Sequence, residues 1–289
     1  MSQIPPRLPG IDHPLILVRD IEAARGFYTR LGFTVTPVGR HPWGTSTSLA
    51  VLERSALELM GIYDDSLIDE MPVGEFRFGR HMRDALAERE GMSLVALHSR
   101  DAAGDRAAME ARGARFNGHI GFRRRVRPPG GEWDEAVVSL EVSVEPELPR
   151  IGHFLAQQHK PHLLWVPEWM RHANGATHVA AVTYVAADPA PVLARLARLY
   201  GAEAVTPEGA GHVARTEQGV FRVLPALAGG PALPPGEAAG AGIDVAVRDL
   251  AAARGVLEAN GVAFEALPGA LALRDVAACG NVLLRFVEQ

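Results

Sequence analysis

The chain has 289 residues, 47% of them hydrophobic, enough for two ordinary domains with sizeable cores. A net charge of -5 gives no general reason to bind nucleic acid or an anionic membrane, so recognition has to be local. The single cysteine, Cys279, excludes an internal disulfide, and no stretch has the apolar length of a signal peptide or membrane span, so the expected location is the cytoplasm.

In chain order, the apolar run Pro14–Val18 reads as a buried strand. It feeds VRDIEAARGFYTRLG, Val18–Gly32. Asp20 is placed as an N-cap for the amides of a first helical turn, and Gly32 suits the left-handed residue past a helix end. Ile21, Ala24, Tyr28 and Leu31 fall on one face, so this helix lies against a sheet. Phe33–Val38, Thr45–Leu52 and Ala56–Ile62 follow as strands, punctuated by Gly39, Gly44 and Arg54-Ser55. The result is one β-α-β-β-β unit.

The same phrase returns three times. Met92–Leu97 leads into SRDAAGDRAAMEARG, with Asp101 and Gly113 at the same spacing. Val179–Val185 leads to Asp188, with Pro189 at the first helical position, where its missing donor costs nothing, and to Gly201. Ile243–Val247 leads into VRDLAAARGVLEANG, capped by Asp249 and closed by Gly261. The second unit is stretched by an arginine-rich segment and by a connecting excursion ending at Asn174, with its last strand at His153–His159. The glycine- and proline-rich stretch Ala228–Gly242 reads as a linker. The last unit is compact, with strands at Ala263–Leu267, Ala270–Arg274 and Val282–Val287.

Three further phrases carry a resemblance: GIDHPLILVRD (Gly10–Asp20), GRHPWGT (Gly39–Thr45) and ALELMGI (Ala56–Ile62), with PHLLWVPEWMRHANGA at Pro161–Ala176. With the repeat, they make the chain similar to the glyoxalase/extradiol-dioxygenase/bleomycin-resistance type of the vicinal oxygen chelate superfamily. The implied fold class is α+β: four βαβββ units paired into two glyoxalase/bleomycin-resistance-like domains with half-open, cup-shaped mixed sheets. The domains are expected at residues 11–161 and 176–289, with 162–175 connecting them.

The resemblance also implies a divalent metal inside the first cup, held by His13 on the first strand and Glu58 on the fourth, with partners from the second unit. Open positions on the metal would let a substrate with two adjacent oxygens chelate it. Glu58 could then double as ligand and proton acceptor in isomerase or lyase chemistry. The competing reading of the same residues is a His13 bonded to a carbonyl and a Glu58 paired with an arginine. In the second unit, Leu94 stands where a second histidine is expected; His159 is the substitute metal ligand and Gln157 a substrate contact on the same face. After GRHPWGT, Thr47 and Ser48 replace an expected Asn-His-like pair and offer hydroxyls to a polar ligand.

Arg123, Arg125 and Arg127 share a strand face and read as a solvated edge, whereas Arg124 has the opposite parity and is the candidate anion contact. Trp43 precedes the cup strands and is the candidate aromatic wall. In the second pair, Ala181 and Gly242 align with His13, so that pair reads as a degenerate copy. The functional expectation is a metal-dependent enzyme acting on a small oxygenated substrate. The alternative is a metal-free binding or sequestration protein of the bleomycin-resistance type. Extradiol dioxygenase chemistry is disfavoured because it asks for a second histidine. A homodimer is compatible with the sequence, though no residue argues for one.

Overall fold

The computed structural model describes residues 8–289. The first unit is β1 (Ile11–Leu17), α1 (Ile21–Arg30), β2 (Gly39–Arg40), β3 (Thr45–Val51) and β4 (Ala56–Ile62). A helix α2 (Phe78–Glu88) precedes the second unit, β5 (Gly91–His98), α3 (Ala102–Ala111), β6 (Gly118–Val126), β7 (Asp134–Ser143) and β8 (Gly152–Gln158). The third is β9 (Ala176–Val185), α4 (Ala190–Tyr200), β10 (Val205–Glu208), β11 (Gly211–Arg215) and β12 (Val220–Leu224). The fourth is β13 (Ala239–Val247), α5 (Leu250–Ala259), β14 (Phe264–Leu267), β15 (Ala270–Leu273) and β16 (Leu283–Glu288).

The units pair into two eight-stranded sheets, ordered β2-β3-β4-β1-β5-β8-β7-β6 and β10-β11-β12-β9-β13-β16-β15-β14. Within a unit the first and last strands run parallel, β1 beside β4 and β5 beside β8. Two units join through an antiparallel seam, β1 to β5 and β9 to β13. Each sheet is therefore mixed. The caps behave as their chemistry requires: Asp20 accepts from the Ala23 amide, Asp101 from Gly104, and Asp249 from Ala251 and Ala252. Gly32, Gly113, Gly201 and Gly261 all have φ between 62° and 92°, where a Cβ would be strained.

Three local expectations need correction, and one helix has no counterpart among them. Pro189 is itself the cap residue of α4, and Asp188 reaches past it to accept from the Ala190 amide. Phe33–Val38 is not a strand. Thr34 is diverted to the connecting segment, its amide donating to His172 Nδ1 and its hydroxyl to the Arg171 carbonyl, while Pro37 has no amide to offer a ladder. Residues Ala239–Gly242 belong to β13 rather than to a linker, because β9 supplies their partners. Helix α2 was not anticipated, although Phe78, Met82, Ala85 and Leu86 fall at helical spacing and are all buried.

Burial divides the core by sheet face. One large core joins α1, α3, α4 and α5 to the outer faces of both sheets, through residues such as Tyr28, Leu57, Val95, Tyr184, Val245 and Phe286. A second core fills the inside of the first cup: Leu15, Met60, Leu94, Ala96, Leu140 and Phe154, with Phe78 and Met82 of α2 packed against them. Helix α2 thus plugs part of the cup and leaves a smaller cavity. A third cluster lays Leu164, Val166 and Trp169 of the connecting segment over Leu49, Val51 and Ala56. No helix among the described residues is long and apolar enough to cross a membrane.

Candidate ligand-binding cup

The centre of the first cup begins with an irregularity in β1. Ile11 pairs with Leu97 and His13 with Ala96, so Asp12 is an extra residue in the strand. Such a bulge re-aims side chains that would otherwise point to opposite faces. Here it lets neighbours meet: His13 Nδ1 lies 2.6 Å from Asp12 Oδ1. His13 Nε2 lies 3.0 Å from Glu58 Oε2, and the Thr47 hydroxyl donates to Glu58 Oε1 at 2.5 Å. The other Asp12 oxygen meets His98 Nδ1 at 2.9 Å. The chain His98, Asp12, His13, Glu58, Thr47 runs unbroken from the rim into the cup.

Its electrostatics follow from burial and alternation of charge. Burial alone would drive the His13 imidazole neutral, but hydrogen bonds and charge from Asp12 and Glu58 override it and push its pKa up to about 10. Burial would likewise raise both carboxyls; the histidines prevail, and Asp12 and Glu58 are each lowered to about 2. At neutral pH this is an imidazolium clasped by two carboxylates. His41 behaves oppositely: burial pushes it down to about 4, despite the pull of Glu58. It is the neutral histidine of the cup, with Nδ1 2.9 Å from the Thr45 hydroxyl.

The walls are aromatic. His41 stacks on Trp43 with ring centroids 5.0 Å apart, and Phe122 and Phe78 close on Trp43 at 4.9 and 5.0 Å. Phe154 meets His13 edge-on at 5.8 Å. Together with Arg124, Gln158 and Leu164 these residues line a cleft of about 530 Å³ counted out to its mouth. The Arg124 guanidinium enters that cleft, and burial lowers its pKa against the pull of Glu58. It makes no ion pair with any described residue.

The expected site residues therefore separate. His13, Trp43, Thr47, Glu58 and Arg124 converge on the cup. Ser48 does not: one residue on from Thr47, it points outward, donating to the Thr36 carbonyl at 2.7 Å and accepting from Arg25. On β8 the cup face is Phe154, Ala156 and Gln158, so Gln157 has the wrong parity. It caps the α3 region instead, accepting from the Ala102 amide and donating to the Arg100 carbonyl. His159 lies past the end of β8, exposed, with Nε2 2.8 Å from the Ser139 hydroxyl. Neither can serve the cup. Arg123 and Arg127 make surface contacts, to Glu135 and the Gly131 carbonyl, and Arg125 stacks on Trp133. Asp12, His41 and Gln158 went unrecognised; alternation along β8 was the available signal for Gln158, while the Asp12 bulge had none.

Register decides whether a divalent metal fits. Leu15, five residues before cap Asp20, pairs with Glu58. Ala96, five before Asp101, pairs with Phe154. The second unit thus places Leu94 where the first has His13, and Phe154 where it has Glu58. Half of the expected ligand set is hydrocarbon, which offers no donor, and both nitrogens of His13 are engaged. Among the described residues no group of three or more His, Cys, Asp or Glu side chains is arranged around a metal position. The residues present do not fit the implied metal.

Paired β-α-β-β-β units around a half-open cup define the vicinal oxygen chelate fold. The profile of the glyoxalase-like domain family matches residues 11–200, and the chain belongs to that family. A hypothetical protein from Staphylococcus aureus shares the architecture with a TM-score of 0.70 at 9% identity, over 97% of this chain and 99% of that one. The Mn(II)-bound glyoxalase from Novosphingobium aromaticivorans aligns with a TM-score of 0.55 at 12% identity, over 98% of this chain and 82% of that one. For 2,2',3-trihydroxybiphenyl 1,2-dioxygenase from Sphingomonas wittichii the TM-score is 0.52 at 11% identity, covering 98% of this chain and 91% of that one. At such identities the likeness is one of fold. No curated protein sequence matches the chain.

Proposed function

We propose that the first cup is a metal-independent binding site for a small, flat molecule carrying a carboxylate, as in the metal-free binding proteins built on this scaffold. The observation that carries this reading is Arg124. Arg124 lines the cleft with Phe122, Val138 and Leu140, its guanidinium close to Gly39 and with no ionic partner among the described residues, while the charges of His13, Asp12 and Glu58 are mutually satisfied. A half-buried arginine with a free donor fork favours a planar anion bound bidentately. The wall of Trp43, Phe78, Phe122 and Phe154 favours an aromatic or otherwise flat body.

The same surroundings argue against Glu58 as a base. A carboxylate already accepting from Thr47 and paired with an imidazolium has little proton affinity to offer, and the metal that would recruit it has only half its expected ligands. Binding is tested by calorimetric titration of chelator-treated protein with a series of small aromatic carboxylates. Saturable binding that Arg124→Gln weakens at least about tenfold, with folding unchanged, supports the proposal. Binding that appears only after a divalent metal is added, or that ignores Arg124→Gln, refutes it.

A further inference from the structure

A second and roomier space lies outside the cup, where the two sheets meet. Its walls come from the β5–α3 connection (His98, Ser99, Arg100), the β3–β4 turn (Glu53, Arg54), Trp165 of the connecting segment, and the β11–β12 turn (Glu217, Gln218). That last turn is docked firmly, since the Ile11 amide donates to the Gln218 carbonyl at 2.9 Å and the Glu217 amide to the Leu8 carbonyl. Counted to its mouth, the groove holds about 1430 Å³. Gln158 lines both spaces, so groove and cup adjoin.

The polar inventory is weighted toward donors. Arg54 and Arg100 make no ion pair with any described residue. Trp165 Nε1 and Gln218 Nε2 are buried with no acceptor in reach among the described residues, an arrangement proteins otherwise avoid. His98 keeps one ring nitrogen for Asp12 and packs edge-on against Trp165 at 5.8 Å. Of the two carboxylates on the walls, Glu53 is already held by Arg248, and Glu217 lies close enough to act on His98. Gln157 holds the Arg100 carbonyl and the Ala102 amide together and so fixes where the Arg100 side chain starts.

We propose that this groove is a second binding site, for a small molecule bearing an oxyanion group, carboxylate or phosphate, received by Arg54 and Arg100 with Trp165 and Gln218 in the adjoining wall. It differs from the cup in character: cationic and wide rather than aromatic and narrow. Oxyanions accept several hydrogen bonds at once, which suits a wall that mostly donates.

The indole N–H of Trp165 is the natural reporter. In ¹H–¹⁵N spectra of the full chain, with the signal assigned by Trp165→Phe, titration with inorganic phosphate and separately with malonate should shift that resonance saturably. A response to phosphate alone places a phosphate-bearing ligand here, and a response to malonate a carboxylate. Arg54→Gln and Arg100→Gln should each weaken the response at least about tenfold, whereas Arg124→Gln should leave it intact. That contrast separates failure here from failure of the cup reading. An indole signal that neither anion moves, or a response that survives in the Arg54→Gln/Arg100→Gln double variant, overturns the proposal.

Discussion

The two cups share one strand order and one register yet spend the same position differently. Five residues before the cap aspartates stand Leu15, Ala96, Thr183 and Asp244, and their partners on the neighbouring parallel strands are Glu58, Phe154, Arg222 and Arg285. In the first cup that position supplies a carboxylate to the His13 chain and an aromatic wall. In the second, two arginines converge on one buried aspartate: Arg222 Nη1 lies 2.5 Å from Asp244 Oδ2, and Arg285 reaches both oxygens at 2.6 and 2.8 Å. Both oxygens of Asp244 are satisfied by the triad, and no carboxylate is left at this position to meet a histidine as Glu58 meets His13. The two sheets share a scaffold, and the chemistry at one register position separates them: a histidine–carboxylate chain in the first and an arginine–aspartate triad in the second.

The comparison can be broken most forcefully at Asp244. Replacing it by alanine leaves two partly exposed guanidinium groups facing each other without a counter-ion, a loss of about 1–3 kcal/mol once solvent screening of the arginines is allowed for. Asp244→Ala should lower the urea midpoint accordingly while leaving ligand binding in the first cup unchanged. Apolar replacement of all three residues should restore much of the loss, because desolvation of the triad is then no longer required.

The second prediction sharpens the contrast from the other side. If Leu94 and Phe154 are what deny the first cup a metal, Leu94→His with Phe154→Glu should create a site with tetrahedral potential alongside His13 and Glu58. Elemental analysis and calorimetry should then show about one manganese or zinc per chain, with dissociation at least about a hundredfold tighter than in the unmodified protein. No gain of affinity in a folded variant would mean that the Asp12–His13–Glu58 pairing, rather than the missing donors, is the obstacle.

A third test uses pH. His13 is raised to about 10, so its contribution to stability is fully present below the ordinary histidine pKa and is lost as pH rises through about 10. Asp12 and Glu58, lowered to about 2, contribute above the ordinary carboxylate range and lose that contribution as pH falls through about 2. His41, buried neutral with its pKa near 4, adds a loss as pH falls from about 6.5 through 4. Stability should therefore peak near pH 6.5 and decline on both sides. In Glu58→Gln, the alkaline decline should still begin near the ordinary histidine pKa but end at a lower pH and with a smaller total loss, and the His13 resonance should titrate below its position in the unmodified chain. An unchanged alkaline limb would show that Asp12 alone holds the imidazolium.

The smallest effect belongs to Ser48. Ser48→Ala removes a hydrogen bond to the Thr36 carbonyl and one from Arg25, a loss of about 1 kcal/mol in denaturation experiments. Because Ser48 faces away from the cup, affinity for a cup ligand should not change, whereas Thr47→Ala should alter it.

Much of the fold was legible because its signals are local. Asp20, Asp101 and Asp249 cap helices by contacts within three residues, and the four glycines answer a backbone angle that their own position demands. Alternation along β4 and β6 was enough to put Glu58 and Arg124 on the inner face. The same rule applied with the wrong parity on β8 sent Gln157 and His159 into a cup they do not enter, since nothing local distinguishes the two faces of a strand whose residues are buried on both sides.

The sequence by itself determined the repeat, the limits of its four helices to within a residue or two, and the concentration of chemistry in the first half. Only the tertiary structure decided which partners those residues meet. The bulge at Asp12 arises from pairing with β5, some eighty residues away. The incomplete metal set arises from Phe154 on β8, and the ion triad of the second sheet from Asp244 meeting Arg222 and Arg285 on other strands. Caps and turns are set by interactions a few residues long, whereas a binding site is set by register between strands distant in the chain, and that register exists only once the sheet has formed.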